Sequence, residues 1–233
     1  MKILTNQNIK YIKKDMLQYI QFNRLLEYSD ILVHAIALKK ESKEREKMIY
    51  EELGLDRKNK VSMHQIHSDI IKIVNVPGIN VGNVDGVITN NKNVVLSSVE
   101  ADCIPILIFD KNKKIIANIH SGWRGTLQQI SLKAIKEMNK VYGSEYGDII
   151  VCFGPSILKC HFEVDEDVKE KFEIVFGHND KIILKGNNIK GKQKYNIDTI
   201  MANRIMLESI GVKPDNIIES NLCTVCNSEY MHS

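Results

Sequence analysis

An α/β fold is predicted for this chain by three observations. Two apolar runs, Ile104 to Phe109 and Ile115 to Ile119, flank the polar turn Asp110-Lys111-Asn112-Lys113, the pattern of a β-hairpin buried on both faces. Directly after it, Leu127, Ile130, Ala134, Ile135, Met138 and Val141 fall on one helical stripe. Along the rest of the chain, short strand-like segments are interspersed with amphipathic helices.

Taken in order, residues 1 to 40 read as short strands around a small helix: Ile9 to Ile12, Leu17 to Phe22, the helix Arg24 to Tyr28, and a strand Ile31 to Leu38. His34 in that last strand reads as a hydrogen-bonded core residue. From Ser42 to Leu55 a Ser cap precedes Ile49, Leu53 and Leu55 among solvated charges, which describes a surface helix. Lys60 to Asn75 reads as two strands or one bent strand, with His64 and His67 near the break; three residues apart in extended chain, they face opposite ways, so at most one of the two faces the site. Asp85 to Thr89 and Val94 to Val99 are a further pair of short strands leading into the hairpin, and the helix after it is expected to start at Gly125 or Thr126. Ile149 to Phe153 is a strand, followed by the turn Gly154-Pro155-Ser156, the segment Cys160 to Val164, and a helix from Asp165 to Phe176 with acids at its start, as the helix dipole favours. Residues 177 to 196, rich in Gly, Asn and Lys, read as a loop or exposed hairpin. A helix Asp198 to Ile210 ends at Gly211, and a strand Asn216 to Ser220 leads to Cys223-Thr224-Val225-Cys226.

No linker, repeat or Gly/Ser-rich segment divides the 233 residues, so one domain spanning 1–233 is expected. A net charge of +3 with Lys spread along the length is a mildly basic solvated surface, which argues against a nucleic-acid partner. The start MKILTNQNIKYIKK has no apolar core of a signal peptide and no run approaches membrane-spanning length, so a cytoplasmic protein with no membrane partner is expected. Five cysteines are an odd and sparse set for a disulfide framework; reduced thiols or metal ligands are the expected uses.

The chemistry concentrates at the open end of the hairpin. Its first strand is entered through Asp102-Cys103 and its second leaves through His120-Ser121-Gly122-Trp123-Arg124-Gly125, so Cys103 and His120 are expected side by side. A thiolate beside an imidazole is either a metal site or a nucleophile–base pair, and position alone does not choose; taken singly, Cys103 is a small buried hydrophobe and His120 a strand end. Strand, Gly-flanked loop and helix N-terminus in succession form an anion seat, to which Arg124 adds a fork of donors suited to phosphate or carboxylate. The plainer reading is that Gly122 and Gly125 allow a tight turn and Arg124 makes a surface pair. His161-x-Glu163 with Cys223-x-x-Cys226 looks like a nucleobase deaminase pattern, but no Pro precedes the Cys pair and the separation is long, so it ranks as a chance match.

The ordered segments QIHSD (65–69), DGVIT (85–89), EADCIPIL (100–107), HSGWRG (120–125), GPSILKCHFEV (154–164) and Cys223-Thr224 resemble the motif set of the YfiH or laccase-domain family, also called multicopper polyphenol oxidase and purine nucleoside phosphorylase. The resemblance covers roughly residues 60 to 226. It implies an α/β fold with mixed β-sheets in layers flanked by helices, and zinc held by His67, Cys103 and His120. It also implies phosphorolysis of adenosine, inosine and methylthioadenosine to free base and sugar 1-phosphate, with deamination of adenosine to inosine. Purine nucleosides and phosphate are then the partners, with a homodimer left open. In this reading Cys103, His120 and Asp102 are the catalytic candidates, and Arg124 with Gly125 seats phosphate. Two departures stand out. HAIALKK lacks the Arg and paired Gly usual after that strand, and the chain stops at Glu229-Tyr230-Met231-His232-Ser233, where the family continues with Tyr-Arg and a short tail.

Three alternatives accompany it. Copper oxidation of phenols is one, with Cu²⁺ in the same ligand set; with 7 His and no His-x-His the full copper complement of a true laccase cannot be built, and only a single-copper activity stays open. A cysteine hydrolase with Cys103 as nucleophile and His120 as base is the second. A zinc-stabilised cell-wall or assembly factor is the third, favoured by closed four-ligand coordination that recruits Cys160.

Overall fold

Strands that are apolar on both faces need cover on both faces, and the architecture supplies it. The computed structural model describes residues 4–15, 17–39 and 44–233. In chain order it contains β1 (Ile9–Lys14), β2 (Leu17–Phe22), the single turn α1 (Asn23–Leu26), β3 (Ile36–Ala37), α2 (Arg45–Glu52), β4 (Lys60–His64), β5 (Ile71–Ile73), β6 (Asn80–Asn83), β7 (Gly86–Thr89) and β8 (Val95–Leu96). The hairpin β9 (Ile104–Asp110) and β10 (Ile115–Ser121) follows, then α3 (Trp123–Leu127), α4 (Ile130–Tyr142), β11 (Ile149–Phe153), β12 (Glu163–Val164), α5 (Glu166–Phe176), β13 (Ile183–Ile189), β14 (Lys192–Ile197), α6 (Thr199–Ser209) and β15 (Ile217–Glu219).

The hairpin is the centre of a six-stranded mixed sheet in the order β15-β11-β9-β10-β7-β5. Its four middle strands pair antiparallel, and β5 and β15 close the edges by parallel pairing. Because side chains alternate along a strand, Ile106, Ile108, Ala117, Ile119 and Val151 cluster with Ile130, Ala134, Ile135 and Met138 of α4 and Leu207 of α6. Phe109, Ile150 and Cys152 pack instead against Ile9, Ile20 and Phe22 of the sheet β1-β2-β3, with Leu222, Tyr230 and Met231 from the chain's end. Each such side chain contributes about 1.5–3 kcal/mol by leaving water. Small sheet, central mixed sheet and helices thus form successive layers. Two further three-stranded sheets, β6-β4-β8 and β12-β14-β13, have apolar clusters of their own, the second sharing its cluster with Phe172 of α5.

The structure departs from the expected elements in four places. The strand expected over Ile31 to Leu38 is reduced to β3, because side chains take up the backbone groups that a longer ladder would use. The His34 Nε2 accepts from the Phe22 amide (2.8 Å) and the His34 carbonyl accepts from Gln21 Nε2 (2.8 Å). Burial of the His34 ring, stacked on Phe22, pushes its pKa down to about 4. The single helix expected from Gly125 or Thr126 starts at Trp123 and is broken into α3 and α4 at Gln128–Gln129, where Gln129 has φ +62°. Asn203 of α6 explains the break: its Nδ2 donates to Thr126 Oγ1 (3.1 Å) while its Oδ1 accepts from Ser131 Oγ (2.6 Å). In one continuous helix, residues five apart would lie about 140° apart around the axis and could not both face Asn203. Val141, placed on the apolar stripe by its spacing, is 46% exposed. Strand β6 has no counterpart among the expected elements, since Val81 is its only apolar residue of that kind. The expected Ser42 cap lies outside the described residues. The exposed hairpin expected within 177–196 is present as β13 and β14.

Candidate metal centre

A buried carboxylate organises the open end of the hairpin. Asp85, just before β7, is fully buried. Its Oδ1 accepts from the His67 amide (3.0 Å) and its Oδ2 from the Ser68 amide and hydroxyl (both 2.6 Å) and from the Ile66 amide (3.3 Å). The segment after β4 therefore wraps around one carboxylate, and His67 sits at the tightest point with φ +59°, a conformation that costs a non-glycine residue energy and persists only where its surroundings fix it. Burial opposes ionisation of Asp85, but the bonds from Ser68, His120 and the His67 amide outweigh it and hold its pKa below the ordinary value.

Asp85 also orients the second imidazole. His120, 4% exposed near the end of β10, places Nδ1 2.8 Å from Asp85 Oδ1. Burial, countered by Asp85 and reinforced by His67, lowers the His120 pKa. A neutral ring facing a carboxylate carries its proton on Nδ1, which leaves the Nε2 lone pair free for a metal ion. The rings of His67 and His120 meet edge to face at 4.9 Å. His64 is exposed and does not join them.

Cys103 completes the group. Asp102 has φ +71°, and this bend replaces the alternation expected of neighbours on a strand. One ligand atom each from His67, Cys103 and His120 lie within 4.8 Å of one another. Burial, then the nearby carboxylates of Glu100, Asp102 and Asp85, push the Cys103 thiol up to about 11. A cysteine nucleophile is made reactive by positive surroundings, whereas these are negative. Two imidazoles, one thiol and a carboxylate behind the ring are a donor set that fits a borderline-soft cation with a fourth position open.

Gly122 is required here by space. A Cβ on it would lie 2.9 Å from Cys103 Sγ and 3.1 Å from the His67 ring, and its φ of −74° is open to any residue. Gly122→Ala is therefore expected to push those two side chains apart and weaken metal affinity at this group by about tenfold or more, measured by chelator competition; unchanged affinity would contradict this placement.

The anion seat looks different in the structure from its sequence pattern. Gly125 lies inside α3, buried, where a Cβ would meet Ile130 Cγ2 at 3.3 Å and the Ser68 carbonyl at 3.4 Å. It lets α3 approach the His67 segment and does not mark the helix start. The Arg124 side chain is exposed and rests over the Trp123 ring at 4.3 Å.

On the hairpin, Cys103 shares its face with Pro105 and Leu107, and His120 with Asn118 and Ile116, by the alternation of the strands. Those four residues line a cavity of about 1100 Å³ whose wall also includes Glu100, Asp102 and Thr224. The Thr224 hydroxyl donates to Asp102 Oδ1 (2.5 Å). Glu100 has a buried Oε1 with no partner among the described residues, and burial pushes its pKa up to about 7. Sequence reasoning gave Asp85 and Glu100 no role, although each is a carboxylate set beside an apolar strand, which is the available signal. Cys160 does not join this group. With His161, Cys223 and Cys226 it forms a separate one, so the His and the two Cys of the deaminase-like pattern do converge, with Cys160 and without Glu163. No helix among the described residues is long and apolar enough to cross a membrane.

The family model described as multi-copper polyphenol oxidoreductase laccase matches residues 34–233. A purine nucleoside phosphorylase of Bacteroides thetaiotaomicron is 33% identical over 150 residues, covering 64% of this chain and 54% of that protein. An adenosine deaminase, RL5, from an unknown prokaryotic organism is 36% identical over 143 residues, 61% of this chain and 53% of that protein. The matched stretch thus spans about half the length of these curated relatives. The crystal structure of the hypothetical protein YfiH of Bacillus licheniformis superposes with a TM-score of 0.84 at 22% identity, covering 96% of this chain and 92% of that one, which is a likeness of fold.

Proposed function

Because the chain belongs to the family described as multi-copper polyphenol oxidoreductase laccase, through 34–233, we propose that it is a zinc-dependent purine nucleoside phosphorylase that also deaminates adenosine. The observation that carries this reading is the three-ligand group His67, Cys103 and His120, backed by Asp85 and adjoining the cavity through Asp102, the lining residue next to Cys103. Relatives named purine nucleoside phosphorylase and adenosine deaminase support the substrate class. His67, Cys103 and His120 would hold a zinc ion there, which would supply Lewis acidity and lower the pKa of water for hydrolytic chemistry.

The chain's own residues do the rest. Asp85 holds His120 in the tautomer that presents Nε2, and fixes the His67 turn by its backbone amides. Arg124 binds phosphate, which attacks the ribose C1′ as the glycosidic bond breaks and its electron pair leaves with the purine. Glu100, which keeps its proton to about pH 7, is the acid available to that departing base, and Asp102 is positioned beside it on the cavity wall by Thr224. Copper oxidation of phenols is the weaker reading, because a trinuclear centre needs more imidazoles than His67 and His120 offer.

Arg124→Ala separates the two activities. It is expected to raise the KM for phosphate by about tenfold while adenosine deamination is kept, measured on the same preparation; equal loss of both would remove Arg124 from the phosphate site. A second reading has one favouring observation, since Cys103, His120 and Asp85 follow the order of nucleophile, base and orienting carboxylate. It leaves His67 without a role, and tight zinc that is lost on Cys103→Ala would exclude it.

A further inference from the structure

The second cluster lies where the chain's last turn meets the loop after β11. Ser156 and Cys223 pair as an isolated parallel bridge, with the Thr224 amide donating to the Ser156 carbonyl (3.0 Å) and the Ser156 amide to the Leu222 carbonyl (3.2 Å). This brings Cys160-His161 against Cys223-x-x-Cys226, and one ligand atom from each lie within 4.8 Å of one another.

The distances are those of coordination. His161 Nδ1 lies 3.3 Å from Cys160 Sγ, 3.5 Å from Cys223 Sγ and 3.4 Å from Cys226 Sγ, while the sulfurs of Cys160 and Cys226 are 3.9 Å apart. One ring nitrogen makes one hydrogen bond, so three sulfurs at nearly equal range are not a hydrogen-bond network. Nor is 3.9 Å a disulfide, whose sulfurs sit about 2.05 Å apart. Around a tetrahedral zinc, with bonds of about 2.3 Å to sulfur and 2.0–2.1 Å to nitrogen, ligand atoms lie about 3.8 Å apart sulfur to sulfur and about 3.5 Å apart nitrogen to sulfur. The observed spacings match those edges. The amides of Leu158 and Cys226 also point at Cys223 Sγ, the arrangement that steadies a coordinated thiolate.

We propose that Cys160, His161, Cys223 and Cys226 form a closed, tetrahedral structural zinc site, distinct from the three-ligand group. Four protein ligands leave no position for substrate, so its role is to fasten. It clamps the 154–164 loop to the segment that carries Leu222, Tyr230 and Met231 into the core beneath the N-terminal sheet. It also sets Asp102, because Thr224, beside Cys223, donates to Asp102 Oδ1, and the Ile157 amide donates to the Asp102 carbonyl (2.9 Å). Cys103 follows Asp102, so the clamp is a positioning device for the thiol of the other centre.

The test uses the full chain carrying Cys103→Ala, which disables the three-ligand group and isolates this one. After reconstitution and removal of loose metal, mass spectrometry should find about one zinc per chain, and cobalt in its place should show the intense thiolate charge-transfer bands of a tetrahedral site with several sulfur ligands. Adding Cys160→Ser and Cys226→Ser should remove both signals. Should those serines impair folding, the cobalt spectrum of the Cys103→Ala chain alone still decides. Absence of tightly bound metal in that chain, a cobalt spectrum without thiolate bands, or a Cys160–Cys226 disulfide under reducing, zinc-replete conditions would each overturn the proposal. None of these results bears on the three-ligand reading, whose metal is counted as the difference between wild type and Cys103→Ala.

Discussion

Cys103→Ala is expected to abolish both phosphorolysis and deamination, lowering each by about a thousandfold or more, and to weaken metal binding at the three-ligand group by a similar factor, about 4 kcal/mol. The reason lies in the donor set. Cys103 is its only anionic ligand, and His67 and His120 alone form a weak neutral pair. The substitution removes a half-buried sulfur from a turn, so the melting temperature of the metal-free chain should move by a few degrees at most, and a larger gap should open only with metal present. Activity assays, chelator competition and thermal unfolding on one preparation check this. Survival of either activity at wild-type level would contradict the placement of the metal.

Asp85→Asn carries the second largest expected effect, and it acts on fold and site together. The carboxylate accepts from the amides of Ile66, His67 and Ser68, the Ser68 hydroxyl and His120 Nδ1. Asparagine keeps one acceptor oxygen and turns an NH₂ towards donors, so buried N–H groups lose their partner at about 1–3 kcal/mol apiece. A loss of about 3 kcal/mol in stability and ten- to a hundredfold in metal affinity is expected. Because the Asp85 pKa is held below its ordinary value, its contribution is present above about pH 4 and fades as pH falls through the lower folded value. The stability gap between wild type and variant should therefore narrow in acid. Nitrogen NMR of the His120 ring gives a readout that plain destabilisation would not move: the wild type holds the proton on Nδ1, and the variant should mix tautomers.

Much of this was legible in the residues, for reasons that differ by element. The hairpin and its flanking strands announce themselves because burial on both faces forces unbroken apolar runs, and hairpin connectivity then brings Cys103 to His120. His67 was beyond such reasoning. Its place depends on a left-handed turn wrapped around Asp85, a contact made across 18 positions and marked by no local pattern. The break between α3 and α4 was equally hidden, since nothing in Gln128-Gln129 signals left-handed backbone and the cause, Asn203, is distant in the chain. The Cys160–His161–Cys223–Cys226 group illustrates the same limit. Its two halves are visible as short motifs, but a separation of more than sixty residues argued against joining them, and only the Ser156–Cys223 bridge does so.

The central claim, that the three-ligand group performs chemistry on purine nucleosides, is tested most directly by chromatography of products. Zinc-defined protein is incubated with adenosine, with and without phosphate, beside the Cys103→Ala chain. The account predicts adenine and ribose 1-phosphate only when phosphate is present, inosine in both conditions, and neither in the variant. Products that persist unchanged in the Cys103→Ala chain, or no product above its background, would contradict it.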